Sequence, residues 1–518
     1  MHWELAATVT KFYVTTAILY VNALPHVGHA YELIATDAIA RYKRLTGHDV
    51  FFLTGTDENS LNAERKARGL GLDPQAYVDQ MAASIKEIWQ RLNVSFDDFI
   101  RTTDERHKLA CQEFFQRVYD RGDIYLGTYE GWYCVSCEAF YRADDLVDEK
   151  CPSHQTRPEW IKEHNYFFAL SKYQDRLLQH IEANPAFIQP ESRRNEILSF
   201  VRSGLQDFSI SRASMRWGIP VPLDPAQVIY VWFDALINYL TGVGWPTDPA
   251  KYERYWPADT HIVGKDIIRF HCVYWPAMLM SAGLPLPRRI FGHGFIYLKQ
   301  EKMSKSLGTG IDPAAIADEF GADSLRYYIL REVPFGRDGD FTWEGFVQRH
   351  NSDLANDLGN LLNRTVSMVN RYFGGTVPPP QAAATAHPID REISGLASDT
   401  FGSIESHMNN LAFSDALTTI WQFVNRANKY VEETAPWILA KTDRERLSAV
   451  MYNLIESCRL VAYAVYPFVP ATAERIAEQL GIQLAIGEDW ETTRQWGGYV
   501  PGTKVTSKPV PLFPKKEL

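Results

Sequence analysis

Residues 11–57 read KFYVTTAILYVNALPHVGHAYELIATDAIARYKRLTGHDVFFLTGTD. The run Lys11–Thr16 is rich in residues that favour strands, and the apolar positions of residues 30–45 recur at helical spacing. A second apolar run, Val50–Leu53, predicts a buried strand that ends in a turn at Thr54–Asp57. Strand, helix and strand form a βαβ unit, so the sequence predicts a parallel sheet whose ligand lies at the carboxyl ends of the strands.

The composition is that of a globular protein with several domains. The chain has 518 residues, of which 46% are hydrophobic and 22% charged, enough for roughly two to four domains. No apolar stretch reaches the ~18 residues that a membrane span needs, and Met1–Thr10 lacks the features of a signal peptide, so we expect a cytoplasmic location. The formal charge of -10 argues against a general polyanion coat, so contact with nucleic acid would need a local basic face.

The patterns divide the chain into an interrupted nucleotide fold and a helical half. Strand-like runs at Gln227–Phe233 and His261–Val263 return to the sheet after an aromatic-rich insertion. Helices are predicted over Asp353–Tyr372, His407–Glu432 and Arg444–Val465, with a Pro/Ala-rich loop at Val377–Pro388. The predicted domains are catalytic halves at 1–118 and 223–300, an insertion at 119–222, a linking domain at 301–350, a helical domain at 351–500 and a tail at 501–518.

Two tracts carry groups that suit a polyphosphate. HVGH, residues 26–29, lies at a predicted helix start, where backbone N–H groups are unpaired and Gly28 permits close approach of a ligand. His26 and His29 add donors that can stabilise developing charge. KMSKS, residues 302–306, places two ammonium groups on a Gly-flanked loop that can close on a departing pyrophosphate. Surface histidines and a solvated lysine loop are the plainer alternatives for each tract alone, but the pair predicts ATP.

Three cysteines and a histidine have the spacing of a zinc knuckle. Cys134-x-x-Cys137 is followed by Cys151-x-x-His154. Three thiolates and one imidazole fill a tetrahedral zinc shell and leave no open position, so we expect a structural Zn²⁺ site. A redox Cys-x-x-Cys is the alternative.

Longer stretches resemble one family. HVGH and KMSKS, in this order, resemble the paired signatures of class I aminoacyl-tRNA synthetases. Nearly the whole chain resembles the methionyl-tRNA synthetase family, of bacterial or organellar type. The stretches that carry this resemblance are YVTTAILYVNALPHVGHAYE, FFLTGTDE, VIYVWFDALINYL, HIVGKDIIRFHCVYWPAMLM, EKMSKS and the APW at 435–437.

The resemblance implies a class I nucleotide domain of Rossmann type, interrupted by a zinc-knuckle domain and followed by an all-α anticodon-binding bundle. It also implies ligation of methionine to tRNA(Met) through methionyl-adenylate, with ATP bound together with Mg²⁺ and AMP and pyrophosphate released. The implied catalytic residues are His26, His29, Lys302 and Lys305, and the implied ATP-binding residues are these four with Gly28, Gly264 and Asp266.

The resemblance also assigns the amino acid and tRNA sites. A thioether forms few hydrogen bonds, so selection depends on shape, soft aromatic contacts and a carboxylate for the ammonium group. Asp57 would bind that ammonium group, and the side-chain site would be lined by Ala17, Ile18, Tyr20, Trp232, Ala235, Tyr239 and His271. Asn360 and Arg364 share a helical face and, with Trp437, match readers of a CAU anticodon. Ordinary core positions are the alternative for the tryptophans.

The chain departs from its relatives in places, and other readings remain. Asn59-Ser60 stands where relatives often carry His-Gly, which puts a histidine role there in doubt, and Leu236 stands where some carry proline. Branched-chain synthetases need a larger editing insertion, and the cysteinyl enzyme uses zinc to hold its substrate. A catalytically idle paralogue is the rival from another class, although both tracts are intact. Since relatives with an appended oligonucleotide-binding barrel dimerise through it and none follows here, we expect a monomer.

Overall fold

The computed structural model describes residues 9–135, 139–141, 145–152, 155–298, 301–302, 310–380 and 387–517. Its N-terminal half contains a parallel sheet whose strands alternate with helices along the chain. The first elements are β1 (Lys11–Thr16), β2 (Leu19–Tyr20), α1 (Val27–Leu45), β3 (Asp49–Asp57), α2 (Leu61–Gly69), α3 (Pro74–Arg91), β4 (Asp98–Arg101) and α4 (Glu105–Asp120).

The predicted βαβ unit is confirmed, with one error at its end. β1 and β3 pair in parallel, and α1 connects them. The turn predicted at Thr54–Asp57 is wrong, because β3 continues through these residues and pairs with β4. A Cβ atom on Gly55 would lie 1.9 Å from the carbonyl oxygen of Ile100. Glycine therefore marks a close approach of two backbones here, not a turn.

An antiparallel ribbon follows α4. The elements are β5 (Ile124–Cys134), β6 (Ala139–Tyr141), β7 (Glu159–Phe168), α5 (Gln174–Ala183), β8 (Ile188–Gln189), α6 (Glu191–Arg202), β9 (Phe208–Ser209), β10 (Ser211–Arg212), β11 (Pro220–Val221) and β12 (Asp224–Ile229). The strands of the ribbon pair in the order β6-β5-β7-β9, and a second small sheet has the order β10-β12-β11. The prediction that Gln227–Phe233 returns to the central sheet is wrong, since β12 joins the small sheet and residues from Val231 onward are helical. That helix is buried on every side, so its apolar run has no helical periodicity to read.

The chain then completes the central sheet and builds a small sheet beside it. The elements are α7 (Val231–Thr241), α8 (Pro249–Tyr255), β13 (Thr260–Gly264), α9 (Trp275–Ala282), β14 (Ile290–His293), β15 (Ile296–Leu298), β16 (Glu301–Lys302), α10 (Pro313–Phe320), α11 (Ala322–Glu332), β17 (Gly339–Phe341) and α12 (Trp343–Arg349). The central order is β2-β3-β1-β13-β14-β8, with β4 on β3, and every neighbouring pair is parallel. β1 and β13 are neighbours although the chain leaves β1 towards β3, so the topological switch point lies between them.

The C-terminal part of the described chain is helical. Its elements are a π-helical segment (His350–Gly359), α13 (Asn360–Phe373), α14 (Pro388–Asn409), α15 (Phe413–Thr434), α16 (Pro436–Thr442), α17 (Arg444–Val465), α18 (Pro470–Leu480) and α19 (Trp490–Thr493). The predicted helix at Arg444–Val465 is confirmed, and the single helix predicted at His407–Glu432 is wrong. The chain breaks between α14 and α15, where Leu411 has a φ of 56°. The α/β fold with a helical C-terminal domain is confirmed.

A buried ion pair joins the helical domain to the nucleotide fold. Arg326 of α11 contacts Asp37 of α1 at 2.6 Å, and neither side chain is exposed. The same guanidinium donates to the carbonyl oxygens of Leu92 and Phe468. Burial by itself would raise the pKa of Asp37, but Arg326 and other partners hold it at about 2. Both groups therefore stay charged, and loss of one partner would leave an uncompensated charge in the core.

Within the described ranges, no helix is long and apolar enough to cross a membrane.

Candidate active site

The two histidines of HVGH cap the helix that they begin. The backbone N–H of Gly28 donates to His26 Nδ1 at 3.1 Å, and the N–H of His26 donates to His29 Nδ1 at 3.2 Å. Because each Nδ1 accepts a hydrogen bond, the neutral rings carry their proton on Nε2, which makes Nε2 a donor. A Cβ atom on Gly28 would lie 2.9 Å from Cε1 of His26, so glycine is required where that ring folds back. The caps thus fix two imidazoles with defined tautomers at a helix N-terminus.

The structure brings the ends of the two tracts together. The N–H of Val27 donates to the carbonyl oxygen of Ile311 at 3.0 Å, and residue 311 lies shortly after the KMSKS tract. Lys302 lies in β16, where its backbone pairs with Tyr297 of β15, so the tract begins on a strand. The side chain of Lys302 and all of Lys305 lie outside the described residues. The segment that follows the lysines therefore lies next to the start of helix α1, as a shared polyphosphate site requires.

The Gly-Lys-Asp stretch ends the strand next to β1. Gly264 is the last residue of β13 and is buried, whereas Asp266 is exposed in the turn that follows. A Cβ atom on Gly264 would lie 2.6 Å from Oδ1 of Asp266. Both residues therefore occupy the carboxyl edge of the sheet at its switch point, where open α/β sheets bind ligands.

Sequence reasoning missed a buried pair beneath this edge. Glu32 of α1 accepts the N–H of Ala17 at 2.7 Å and contacts Nε2 of His293 at 2.8 Å. Burial would lower the pKa of His293, but Glu32 outweighs burial and raises it. His293 Nδ1 also lies 2.8 Å from the carbonyl oxygen of Gly294, so both ring nitrogens act as donors. The signal in the sequence was Glu32, a charged residue on the otherwise apolar face of α1. A charged residue at such a position usually has a buried partner.

A second buried hydrogen-bond chain orients two residues of the predicted methionine site. Tyr239 and His271 are both buried, and the hydroxyl lies 2.8 Å from Nε2 of His271. His271 Nδ1 lies 3.0 Å from the carbonyl oxygen of Ile267, which can only accept. Nδ1 therefore carries the proton, and Tyr239 donates to Nε2. Burial lowers the pKa of His271 to about 4, so the ring is neutral at physiological pH.

Aromatic rings enclose the same region. Trp232 stacks on Phe270 with centroids 3.7 Å apart and planes 6° apart, and Tyr20 meets Trp232 edge-on at 6.1 Å. Tyr133 of the inserted ribbon belongs to the same buried cluster as Trp232, and Ile161 packs against that cluster. Ala17 and Ala235 are buried, and Ile18 is partly buried. The structure thus gathers Tyr20 and Trp232 into one aromatic cluster, and Phe270 is a member that the sequence pattern did not indicate.

Carboxylates lie at the end of β3 and on α7. Asp57 is 3% exposed and Asp234 is fully buried. Both lie close enough to Cys111 that their charges, after burial, raise the pKa of its thiol. Asn59 donates to Oδ2 of Asp234 at 3.2 Å and to the carbonyl oxygen of Thr102 at 3.0 Å. The asparagine therefore holds Asp234 in place, and two buried acidic side chains lie in this region of the fold.

The predicted anticodon residues lie on the helical domain. Asn360 is exposed at the start of α13, and Arg364, one turn later, forms a 2.6 Å salt bridge with Glu432 near the end of α15. Trp437 follows five residues after Glu432 and is 42% exposed. Trp437 is thus not a core residue, and the salt bridge brings the start of α13 and the end of α15 together.

Two of the four predicted zinc ligands can be described. Cys134 ends β5, Cys151 lies between β6 and β7, and both are buried. Sγ of Cys134 lies 3.7 Å from the hydroxyl of Thr156. The backbone carbonyl oxygen of Thr156 accepts a hydrogen bond from the N–H of Cys151. Cys137 and His154 lie outside the described residues. Among the described residues, which do not include Cys137 and His154, no group of three or more His, Cys, Asp or Glu side chains could hold a metal ion.

Because His271 is buried, we expect the stability of the chain to depend on pH. The pKa of His271 is about 4 in the folded chain and about 6.5 when unfolded. The unfolded chain therefore binds the extra proton between these values, and stability present above pH 6.5 is lost as the pH falls towards 4. We expect His271 to contribute a loss of about 2 kcal/mol between pH 7 and pH 5. Urea unfolding at both pH values measures it. His271→Gln should reduce the pH dependence by this amount, and His164→Gln, at an exposed position, should not; an equal dependence in all three chains contradicts the assignment.

Family models match most of the chain. The model for tRNA synthetases class I (M) matches residues 12–159 and 141–366, and the model for the anticodon binding domain of methionyl tRNA ligase matches residues 380–515. A methionine-tRNA ligase of Clostridium tetani is 51% identical over 508 residues, which is 97% of this chain and 78% of the relative. One of Bacillus subtilis is 49% identical over 521 residues, 98% of this chain and 78% of the relative.

Solved structures agree with these relatives. The structure is similar to Mycobacterium tuberculosis methionyl-tRNA synthetase in complex with methionyl-adenylate, with a TM-score of 0.93, 46% identity and coverage of 98% of this chain and 100% of that one. For the free state of the same enzyme the TM-score is 0.87, with 44% identity and coverage of 98% and 99%. The chain therefore belongs to the methionyl family of class I tRNA synthetases.

Proposed function

We propose that the chain ligates methionine to tRNA(Met), consuming ATP with Mg²⁺ and forming methionyl-adenylate as an intermediate. One observation carries the proposal: the capped helix that begins with HVGH touches the segment after KMSKS at the carboxyl edge of the sheet. The chain also holds the buried carboxylates Asp57 and Asp234 and the aromatic cluster of Trp232 and Phe270, which suit an amino-acid site. A polyphosphate site combined with an amino-acid site suits amino-acid activation.

The first step needs positioning and charge stabilisation only. A carboxylate oxygen of methionine attacks the α-phosphorus of ATP, and the bond to the bridging oxygen of pyrophosphate breaks. The Nε2–H groups of His26 and His29 donate to phosphate oxygens as charge develops, while Lys302 and Lys305 bind the departing pyrophosphate. Gly264 and Asp266 bind the ribose. No side chain forms a covalent bond.

The amino-acid pocket selects its substrate by shape. Asp57 binds the ammonium group, and the thioether lies among Ala17, Ile18, Tyr20, Trp232, Ala235, Tyr239 and His271. Because the Tyr239 hydroxyl proton is committed to His271, the pair presents no spare donor to the thioether. In the second step a hydroxyl at the tRNA 3′ end attacks the activated carbonyl carbon, and AMP leaves.

Pyrophosphate exchange with each of the twenty amino acids tests the proposal. Methionine should stimulate the incorporation of labelled pyrophosphate into ATP far more than any other amino acid. Exchange stimulated only by another amino acid would overturn the substrate. No exchange with any, in a folded chain, would instead favour an idle paralogue that binds tRNA.

The knuckle residues are proposed to hold structural zinc. Cys134 and Cys151 fit this role because both are buried and are linked through Thr156, and the set with Cys137 and His154 has the donors that zinc prefers. Zinc there would fix the end of the ribbon whose Tyr133 shares a buried cluster with Trp232. We also propose the domain bounds predicted from the sequence, a cytoplasmic location and a monomeric state.

Loss of one knuckle ligand should release the metal. We expect Cys151→Ser to bind far less than one zinc per chain and to melt at a lower temperature, because the remaining donors cannot complete a tetrahedral shell. Elemental analysis after dialysis and a thermal melt measure both effects. Cys458→Ser, at a buried cysteine of α17, should keep its zinc. Equal zinc in both variants would reject this ligand set.

The exposed tryptophan separates tRNA binding from activation. We expect Trp437→Ala to lower kcat/KM for tRNA(Met) by about 10–10²-fold, the cost of one lost base stack. Pyrophosphate exchange should stay within about twofold of wild type, because Trp437 lies on the helical domain. Aminoacylation and exchange assays on the same preparation measure both. An equal loss in the two assays would mean that the variant damages the fold.

A further inference from the structure

Lys265, the middle residue of Gly-Lys-Asp, has no role in the steps above. Its Nζ donates to both carboxylate oxygens of Asp338, at 2.8 and 2.6 Å. Its ammonium group also lies 4.6 Å from the centroid of the Phe295 ring. The lysine follows the last residue of β13, while Asp338 immediately precedes β17. The bridge therefore joins the nucleotide edge of the central sheet to a separate small sheet.

The Asp338 segment is fixed onto the end of β14 by further contacts. The N–H of Phe295 donates to Oδ1 of Asp338 at 2.8 Å, and the N–H of Gly339 donates to the carbonyl oxygen of Phe295 at 2.9 Å. A Cβ atom on Gly294 would lie 2.2 Å from the carbonyl oxygen of Arg337, so the two backbones are in close contact. Asp338 thus has one hydrogen bond to the backbone and one ion pair, which can be removed separately.

The small sheet carries the start of the lysine tract. Its order is β16-β15-β17, and β15 pairs in parallel with β17 and antiparallel with β16. Lys302 is the last residue of β16, opposite Tyr297. A shift of the Asp338 segment would therefore move the strand that holds Lys302 relative to β13.

We propose that Lys265 is a positioning residue for adenylate formation, whose bridge to Asp338 holds the sheet carrying Lys302 in register with the nucleotide-binding end of β13. The inference rests on the proposed function. The bridge needs a charge at both ends. Burial alone would raise the pKa of Asp338, but Lys265 and the N–H of Phe295 outweigh burial and lower it, so the carboxylate stays ionised at neutral pH. A register error of about 1 Å at a catalytic group can cost about 10²-fold in rate.

Four variants test the bridge. Lys265→Met keeps an unbranched apolar side chain and removes the ammonium group, and Asp338→Asn keeps an acceptor for the Phe295 N–H and removes the charge. The double variant lacks both groups, and Lys265→Arg retains a cation. Lys162→Met, which breaks a 2.7 Å bridge to Glu130 on the ribbon, is the matched control. The assay is methionine-dependent pyrophosphate exchange, with methionine binding measured by calorimetry.

We expect Lys265→Met and Asp338→Asn each to lower kcat by about 10–10²-fold, with KM for ATP and Kd for methionine within about threefold of wild type. The double variant should be no worse than either single one, because both remove the same interaction. Lys265→Arg should recover most of kcat, and Lys162→Met should match wild type. A loss in Lys265→Met without one in Asp338→Asn would make Lys265 a direct ligand contact and overturn the bridge. Wild-type rates in both would also overturn it, whereas absent exchange in the wild-type chain would refute the proposed function instead.

Discussion

Replacing His29 by glutamine is expected to lower kcat for methionine-dependent pyrophosphate exchange by about 10³-fold, the cost of losing one preorganised donor to a developing oxyanion. In the structure Nδ1 of His29 accepts the N–H of His26, which closes the helix cap and leaves the proton on Nε2. Glutamine at the third helical position can accept the same N–H, so the cap is kept while the imidazole donor is lost.

The matched variant is His29→Ala, which loses both the donor and the cap. It should show the same fall in kcat and, in addition, about 1 kcal/mol lower stability in urea unfolding. If His29→Gln exchanges pyrophosphate at the wild-type rate while His29→Ala is impaired, the histidine acts through the helix cap alone. The proposed contact with phosphate would then be wrong.

Replacing Asp57 by asparagine is expected to raise KM for methionine by about 10²–10³-fold, because removal of one partner of a buried ion pair costs about 3–5 kcal/mol. Asp57 is 3% exposed, so water cannot replace the lost carboxylate charge. KM for ATP should change little, since the effect concerns the ammonium group of the amino acid. Exchange kinetics with each substrate varied in turn measure the two constants.

Two other carboxylates provide the controls. Asp49→Asn, at the opposite end of the same strand, removes a surface bridge to Arg254 and should change either KM by no more than about twofold. Asp234→Asn tests the neighbouring buried carboxylate that Asn59 holds. A larger rise in KM for methionine in Asp234→Asn than in Asp57→Asn would move the ammonium contact to Asp234.

Local pattern was sufficient for parts of the fold and failed where local signals are ambiguous. β1 and the helix Arg444–Val465 have the predicted bounds, because each is a run with clear composition or periodicity. The strand predicted at Gln227–Phe233 failed because an apolar run in a fully buried helix resembles a buried strand. The continuous helix at His407–Glu432 failed because a single left-handed residue, Leu411, breaks it without glycine or proline.

The sequence by itself determined the parallel fold and the two tracts suited to a polyphosphate, because these depend on composition and on spacing along short segments. The residues proposed for the amino-acid site came from the resemblance to a family. Only the tertiary structure decided which groups meet: Glu32 with His293, Trp232 with Phe270, and Lys265 with Asp338. Each pair joins elements far apart in the chain, so no local period reports it. Burial then fixes what the sequence leaves open, since a ring removed from water takes the tautomer and charge that its few fixed neighbours permit.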